Sequence, residues 1–214
     1  MRRAEFQIDN QEQMHTFLKE QRFGVLGTIG QDGFPRLTPI LFVYIPEQEA
    51  FYFHSSRKGE KVRQLEACSH AAFSVSEIHA MIPSSFLDPV YACPATTYFR
   101  SVHARGQMEI VSDSNEKTMF FTAFMEKLQP EGGYAPFDWT MKGYAKQEAA
   151  IIVYKLKIHE LTAKFKFGQN LNDKQRNLVT QGLLERQAPG DIETIQWMEE
   201  LDPKRCPFHQ QDQE

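Results

Sequence analysis

Between Phe23 and His54 the chain passes through three β-type runs with no helix between them, and no other stretch restricts the possible folds so much. Phe23-Gly24-Val25-Leu26-Gly27-Thr28-Ile29 ends at the turn Gly30-Gln31-Asp32-Gly33. A second run, Pro35 to Tyr44, ends at Ile45-Pro46-Glu47-Gln48-Glu49, and Ala50-Phe51-Tyr52-Phe53-His54 follows at once. Strands joined by such short turns are antiparallel neighbours, because a parallel pair needs a crossover of roughly a dozen residues or more. The meander therefore argues against a doubly wound parallel sheet.

The flanking segments fit around it. Asp9 and Glu12 have capping-box spacing and Met14, Phe17 and Leu18 share a face, so residues 10–20 read as an amphipathic helix. A polar break leads to a short helix near 59–67, with Val62 and Leu65 inward, and then to a strand over 71–75. Residues 78–95 hold Pro83, Pro89 and Pro94 without a period and read as a long loop. Thr96 to Val111 is a long β-type segment with Gly106 as a bulge or bend. Ser112-Asp113 caps a helix with Phe120, Phe121, Phe124, Met125 and Leu128 on one face. A Pro/Gly-rich connection at 129–146 precedes the strongest strand, Ala149 to Ile158. Asn172 to Leu184 and Asp191 to Leu201 read as helices split by Ala188-Pro189-Gly190, before a polar tail. Six strands in short meanders suggest a small closed barrel, since closure removes exposed edges.

With 214 residues, 41% hydrophobic and 24% charged, the chain suits one compact core with an appended segment. No apolar run approaches the roughly 20 residues that cross a bilayer. The basic start Met1-Arg2-Arg3 meets Gln7, Asp9, Asn10 and Gln11 where an export leader needs apolar residues. Cys68, Cys93 and Cys206 are too scattered for a disulfide framework. A cytoplasmic protein without membrane contact is the expectation. A net charge of −4, and mixed charges in the C-terminal helices (Lys174, Arg176, Arg186 against Asp191, Glu193, Glu199, Glu200), argue against a nucleic-acid partner.

Candidate chemistry concentrates between Phe51 and Leu65. A strand ends in His54-Ser55-Ser56, and Arg57, Lys58, Lys61 and Arg63 fall within seven positions with only Glu60 opposing them. Hydroxyls, cations and a helix start together suit a phosphate, because unpaired N–H groups and the helix dipole both favour an anion. The alternative reading of the same residues is a solvated helix face. His54 reads either as a wall residue or as a contact to a ligand. Arg100 is costly to bury without a partner, which favours an anionic group beside it.

Four motifs in order resemble the pyridoxamine 5′-phosphate oxidase-like superfamily of FMN-binding split barrels. They are Gly24-Val25-Leu26-Gly27-Thr28 with Asp32-Gly33-Phe34-Pro35; Arg36-Leu37-Thr38-Pro39-Ile40-Leu41-Phe42; Tyr52-Phe53-His54-Ser55 leading to Gly59-Glu60-Lys61 and Leu65; and Tyr98-Phe99-Arg100-Ser101-Val102 with Gly106. The resemblance covers about residues 10–165 and is nearest to nitroimidazole-resistance and flavin-reductase-type members. It implies a mainly β (α+β) fold: a six-stranded antiparallel split β-barrel with flanking helices, as an FMN-binding domain over 1–165. A C-terminal helical extension and polar tail occupy 166–214. It also implies FMN bound between the subunits of a homodimer. The ring would lie along Arg36, Leu37, Thr38, Pro39 and Ile40, with His54 and Ser55 nearby. Ser56, Arg57, Lys58 and Lys61 would surround the phosphate, and Arg100 and Ser101 would come from the second subunit.

The implied activity is FMN-dependent reduction of a small molecule with NAD(P)H as candidate electron donor, although no dinucleotide fingerprint is present. Flavin can supply the hydride chemistry itself, so no catalytic side chain is assigned. The alternative is a non-enzymatic flavin-binding or regulatory protein of the same fold. The arginine-rich C-terminal signature of true pyridoxamine-phosphate oxidases is missing after Ile158; Lys164-Phe165-Lys166-Phe167-Gly168-Gln169-Asn170 resembles reductase- and regulator-type tails instead. Haem binding stays open through His70, His79, His103 or His159, none in a recognisable haem context. Cys206-Pro207-Phe208-His209 lacks a second ligand pair, so no metal site is expected.

Overall fold

The computed structural model describes residues 3–58 and 60–202; the side chains of Glu60, Lys61 and Glu66 lie outside that description, as do Gly59 and the tail with Cys206 and His209. The strands are β1 (Gln7–Ile8), β2 (Phe23–Ile29), β3 (Pro35–Leu41), β4 (Val43–Ile45), β5 (Ala50–Ser56), β6 (His70–Ile82), β7 (Thr96–Ile110) and β8 (Ile151–Lys166). The helices are α1 (Gln11–Glu20), α2 (Glu60–Ala67), α3 (Ser114–Leu128), α4 (Lys142–Ala150), α5 (Asp173–Arg186) and α6 (Asp191–Glu200).

The strands form one sheet in the order β3-β2-β6-β7-β8-β5-β4, with β1 beside β8. The mainly antiparallel sheet with flanking helices agrees with the sequence. The expected six-stranded barrel does not: the described residues form eight strands in a sheet that is not closed. Two local causes account for the count. β1 is two residues long, too short to show a period, and exists through its pairing with β8 (Gln7↔Lys164, Ile8↔Ala163). The run Pro35 to Tyr44 is not one strand but two, parted at Phe42. The Phe42 N–H turns to the Arg22 carbonyl at 3.4 Å, and its buried ring lies 5.0 Å from Phe73 and 5.7 Å from Phe51.

β3 therefore pairs with β2 (Phe23↔Leu41 to Ile29↔Pro35), while β4 pairs with β5 (Val43↔Tyr52 to Ile45↔Ala50). The two end strands of the sheet order are separated by this single residue, so they lie within about 7 Å of each other along the chain. Phe42 is thus a seam at which the chain passes from one end strand to the other, with no ladder between them among the described residues. Lys127 of α3 holds that seam. Its ammonium donates to the carbonyls of Leu18 at 3.0 Å and Phe42 at 3.3 Å and sits 4.0 Å from the centre of the Phe42 ring.

Other boundaries also move. Asn10, not Asp9, caps α1, its side-chain oxygen accepting the Glu12 and Gln13 N–H groups. β6 runs on to Ile82 into the expected 78–95 loop, α4 occupies part of the expected 129–146 connection, and β8 continues to Lys166. In each case strand pairing or tertiary packing overrides local composition. Gly106 lies inside β7, where a Cβ would meet the Lys157 carbonyl.

The contacts divide the chain into two units, one of Asn10–Val75 and Val102–Thr162, the other of Met1–Asp9, Ser76–Ser101 and Ala163–Glu214. In the first, β5 is buried on both faces. Phe51 and Phe53 pack on Phe73 at 5.0 and 4.9 Å. Tyr52 points the other way, stacked 6.0 Å from Phe120 of α3, within a cluster that includes Val43, Ile45, Val111, Phe121, Phe124 and Val153. In the second unit, Phe165 and Phe167 of the β8 end meet Trp197 of α6 at 5.6 and 5.7 Å. α5 starts on an Asn172–Gln175 capping box, and Asp191 is buried against Arg186. No helix among the described residues is long and apolar enough to cross a membrane.

Burial, with the Arg22 charge nearby, pulls the Lys127 ammonium down to about 8, against about 10.4 in an unfolded chain. Between those values the unfolded chain binds the extra proton, so alkaline pH favours the folded state. Lys127→Met should be less stable than wild type near neutrality, and the gap should widen from about pH 7.5 to about pH 10. Urea denaturation of both proteins at the two pH values checks this; a gap that narrows contradicts it.

Candidate functional site

The corner between β5 and α2 collects hydroxyls and cations in consecutive positions. β5 stays in register with β8 to its last residue (His54↔Val153, Ser55↔Ile152, Ser56↔Ile151), and the Arg57 N–H extends the ladder to the Ala150 carbonyl at 3.1 Å. The chain then turns: the Lys58 N–H approaches the Ser56 hydroxyl at 3.4 Å. Ser56, Arg57 and Lys58 are exposed and Ser55 is half-buried. Among the described side chains, neither Arg57 nor Lys58 pairs with a carboxylate. Arg57 lines a cavity of about 140 Å³ with Ser112, Phe121, Ile152 and the Lys117–Glu148 ion pair (2.7 Å). Lys61 belongs to the first turn of α2, but its side chain lies outside the described residues.

One buried hydrogen bond ties this corner to the β2–β3 hairpin. Thr28 of β2 donates to the Gln64 side chain of α2 at 2.7 Å, and both residues are buried. In the hairpin register Thr28 faces Arg36 and Gly27 faces Leu37. α2 is thus fastened behind the stretch Arg36–Ile40, bringing the expected phosphate corner and ring strand into one unit. Within that stretch Leu37 is 72% exposed, Ile40 is buried, and Arg36 pairs with Asp32 at 2.7 Å. The Asp32 carboxyl is held below its ordinary value chiefly by that hydrogen bond. Gln64 was not singled out from sequence, where a helical glutamine looks like a solvent-facing residue, and Thr28 entered only as the last residue of the first motif.

One buried polar atom at the end of β5, Nδ1 of His54, has no hydrogen-bond partner; the buried hydroxyl of Tyr154, on the neighbouring strand β8, has the Ser55 hydroxyl beside it. The His54 ring sits among Phe120, Phe121 and Phe124, edge-on to the last at 5.0 Å, and burial lowers its pKa. It is a neutral wall residue on the α3 side. Tyr154 projects to the opposite face, stacked 5.8 Å from Phe53, with its hydroxyl on the side of Ser55. Hydroxyls and cations thus lie side by side at the corner, the kind of donor set from which a phosphate accepts.

Arg100 and Ser101 lie in the other unit, and both are 4% exposed. The Arg100 guanidinium meets Glu77 at 2.7 Å and covers the Trp197 ring at 5.0 Å. The anionic group expected beside Arg100 is, within this chain, a carboxylate of β6. His79, also in that unit, is buried 3.2 Å from the same carboxylate, whereas His70 and His159 line a shallow surface pocket with Arg105 and Glu160.

Three comparisons bear on this arrangement. The sequence profile of the pyridoxamine 5′-phosphate oxidase family matches residues 10–165. The Protease synthase and sporulation protein PAI 2 of Bacillus subtilis is 24% identical over 200 residues, covering 91% of this chain and 94% of that protein. The flavocytochrome Anf3 of Azotobacter vinelandii superposes with a TM-score of 0.63 at 24% identity, over 80% of this chain and 74% of its own. A proposed 5-nitroimidazole antibiotic resistance protein of Bacteroides thetaiotaomicron gives 0.56 at 19%, over 74% and 85%. At these identities the structural matches establish the fold.

Because burial lowers the His54 pKa, the folded chain binds fewer protons at this site than the unfolded chain below about pH 6.5. Stability at this site is full above that value and falls as the pH drops toward the folded pKa. His54→Phe should blunt the loss of thermal stability on acidification from about pH 6.5, read by calorimetric melts. An unchanged slope places the ring in contact with water.

Proposed function

The chain belongs to the pyridoxamine 5′-phosphate oxidase family, and from that membership we propose that it is an FMN-dependent oxidoreductase of the flavin reductase or nitroreductase kind, acting on a small molecule. The observation that carries the reading is the β5–α2 corner, fastened to the β2–β3 hairpin through Thr28 and Gln64. Flavin, when bound, supplies the hydride chemistry. The residues of the chain hold and orient it. Ser55, Ser56, Arg57, Lys58 and Lys61 take the phosphate, and the backbone of Arg36 to Ile40 receives the ring. His54, neutral and packed against α3, keeps the end of β5 at a fixed height. NADH or NADPH serves as electron donor.

The proposed homodimer has a matching surface. Phe23, Val25, Ile29, Pro35, Leu37, Pro39 and Leu41 alternate onto one face of the β2–β3 hairpin, with Phe23 55% and Leu37 72% exposed. A contiguous apolar face of this kind is rare on a monomer. In the dimer, Arg100 of the second copy reaches an anion only by leaving Glu77.

A second reading, in which flavin binding is sensed rather than turned over, is favoured by the relative named for protease synthesis and sporulation, whose match extends beyond residue 165. The two readings share the flavin site and differ in turnover. Purified protein mixed with FMN should show flavin absorbance that NADH or NADPH bleaches in the first reading and leaves intact in the second. A colourless protein whose melting temperature ignores FMN would falsify both.

Lys61→Ala should weaken FMN binding by about 10- to 100-fold, the loss of one charge-assisted hydrogen bond of about 1.5–3 kcal/mol, measured by fluorescence titration. Leu37→Asp should shift the sedimenting species from dimer to monomer and lower FMN occupancy with it. Wild type that sediments as a monomer removes the shared-site arrangement.

A further inference from the structure

The unit of Met1–Asp9, Ser76–Ser101 and Ala163–Glu214 encloses a cavity of about 520 Å³ that shares no residue with the β5–α2 corner. Its lining includes Arg3, Lys164 and Lys166 together with Phe6, Tyr98 and Phe99, and no aspartate or glutamate among the described residues. Lys164 and Lys166 alternate onto the same side of β8, so their ammonium groups face one space. The Arg3 guanidinium and the Lys164 ammonium both lie over the Phe6 ring, at 5.9 and 5.5 Å, and Lys164 is also 5.4 Å from the Phe99 ring. Lys166 is bonded to a neutral group, the Thr96 hydroxyl. Arg3 has Glu5 at 3.8 Å, both side chains being well exposed.

Three cations around one apolar floor repel one another. Burial and the neighbouring Lys164 and Arg3 charges all depress the Lys166 ammonium. Such an arrangement is unfavourable in the empty protein and becomes favourable when an anion enters. The volume lies within the range of small-molecule sites, which pair apolar walls with a few placed polar groups.

We propose that this cavity binds a small organic anion with a flat apolar body. Its carboxylate or phosphate is held by Lys164, Lys166 and Arg3, and its body lies against Phe6 and Phe99. The Asn170 and Gln175 amides add hydrogen bonds at the rim. The site goes beyond the flavin reading and stands without it.

The probes are benzoate and phenyl phosphate, with benzamide as the neutral counterpart, titrated calorimetrically into the full chain. Both anions should bind, the doubly charged one more tightly, and benzamide at least 10-fold more weakly. Lys164→Gln/Lys166→Gln should lose anion binding by at least 10-fold while melting no lower than wild type, since a repulsion has been removed. The Lys164→Arg/Lys166→Arg pair should restore binding. Cys93, exposed at the rim, should be alkylated more slowly by iodoacetamide with phenyl phosphate present, followed by mass spectrometry. Arg57→Ala should leave benzoate binding and the protection of Cys93 unchanged. Benzamide binding as well as benzoate, anion affinity that survives the double glutamine variant, or a loss in Arg57→Ala equal to that in the double variant each overturns the proposal.

Discussion

Covering both faces of β5 is the constraint from which the rest of the larger unit is built, because a strand with two buried faces must be matched by two separate layers. Phe51 and Phe53 require the ring cluster around Phe73, and Tyr52 and His54 require the aromatic face of α3. A polar bridge keeps the second layer in place. The Tyr52 hydroxyl donates to Glu116 at 2.7 Å, and Lys155 of β8 reaches the same carboxylate at 2.8 Å. Burial and this carboxylate push the Tyr52 phenol well above its ordinary range, so it remains a donor at any physiological pH. The strand cannot slide, since a one-residue slip would exchange its two buried faces. Ser55 and Ser56 are therefore presented at a set position relative to α2.

That rigidity explains why the basic residues beyond β5 are conspicuous in a chain of net charge −4. Arg36, in the same unit, is paired with Asp32, and Lys117 and Lys155 are paired with Glu148 and Glu116. Arg57 and Lys58 instead face solvent next to hydroxyls. Surface cations are ordinary, but here the backbone that carries them is held by a doubly buried strand, so only the two side chains remain to be ordered by any ligand.

Much of this was legible in the residues. The first and third opening runs, the Phe-faced helix before residue 129 and the break at Ala188-Pro189-Gly190 all appear where periodicity places them, because each depends on nearby residues. The seam at Phe42 was not legible. Its cause is a carbonyl at Arg22, a ring at Phe73 and an ammonium at Lys127, none close in sequence. β1 is invisible for the same reason, being specified by β8. Of the candidate site, the run His54 to Lys58 could be read directly. The Thr28–Gln64 bond that joins it to the β2–β3 hairpin could not, since a threonine in a strand and a glutamine in a helix carry no mark of facing each other. The cavity around Lys164 and Lys166 was hidden because those lysines read as an ordinary strand tail until Arg3 and Phe6 fold beside them.

An unclosed sheet leaves two end strands, and the way β3 is built decides what kind of partner its surface admits. A seven-residue end strand is an invitation to edge-to-edge pairing. β3 carries Pro35 and Pro39 in the same alternation as Leu37 and Leu41. A proline inside a strand is tolerated only where its missing N–H would point away from the neighbouring strand. The outer edge of β3 therefore lacks donors at two of its alternate positions, and another strand gains little by adding there. The face is different: Leu37 and Leu41 with Phe23 and Ile29 of β2 leave it apolar and open. Edge contact is blocked and face contact is favoured, so the proposed second copy packs across the hairpin rather than extending the sheet. That geometry keeps the side of β3 away from β2 clear of a further strand among the described residues, which is the side the proposed flavin ring would approach.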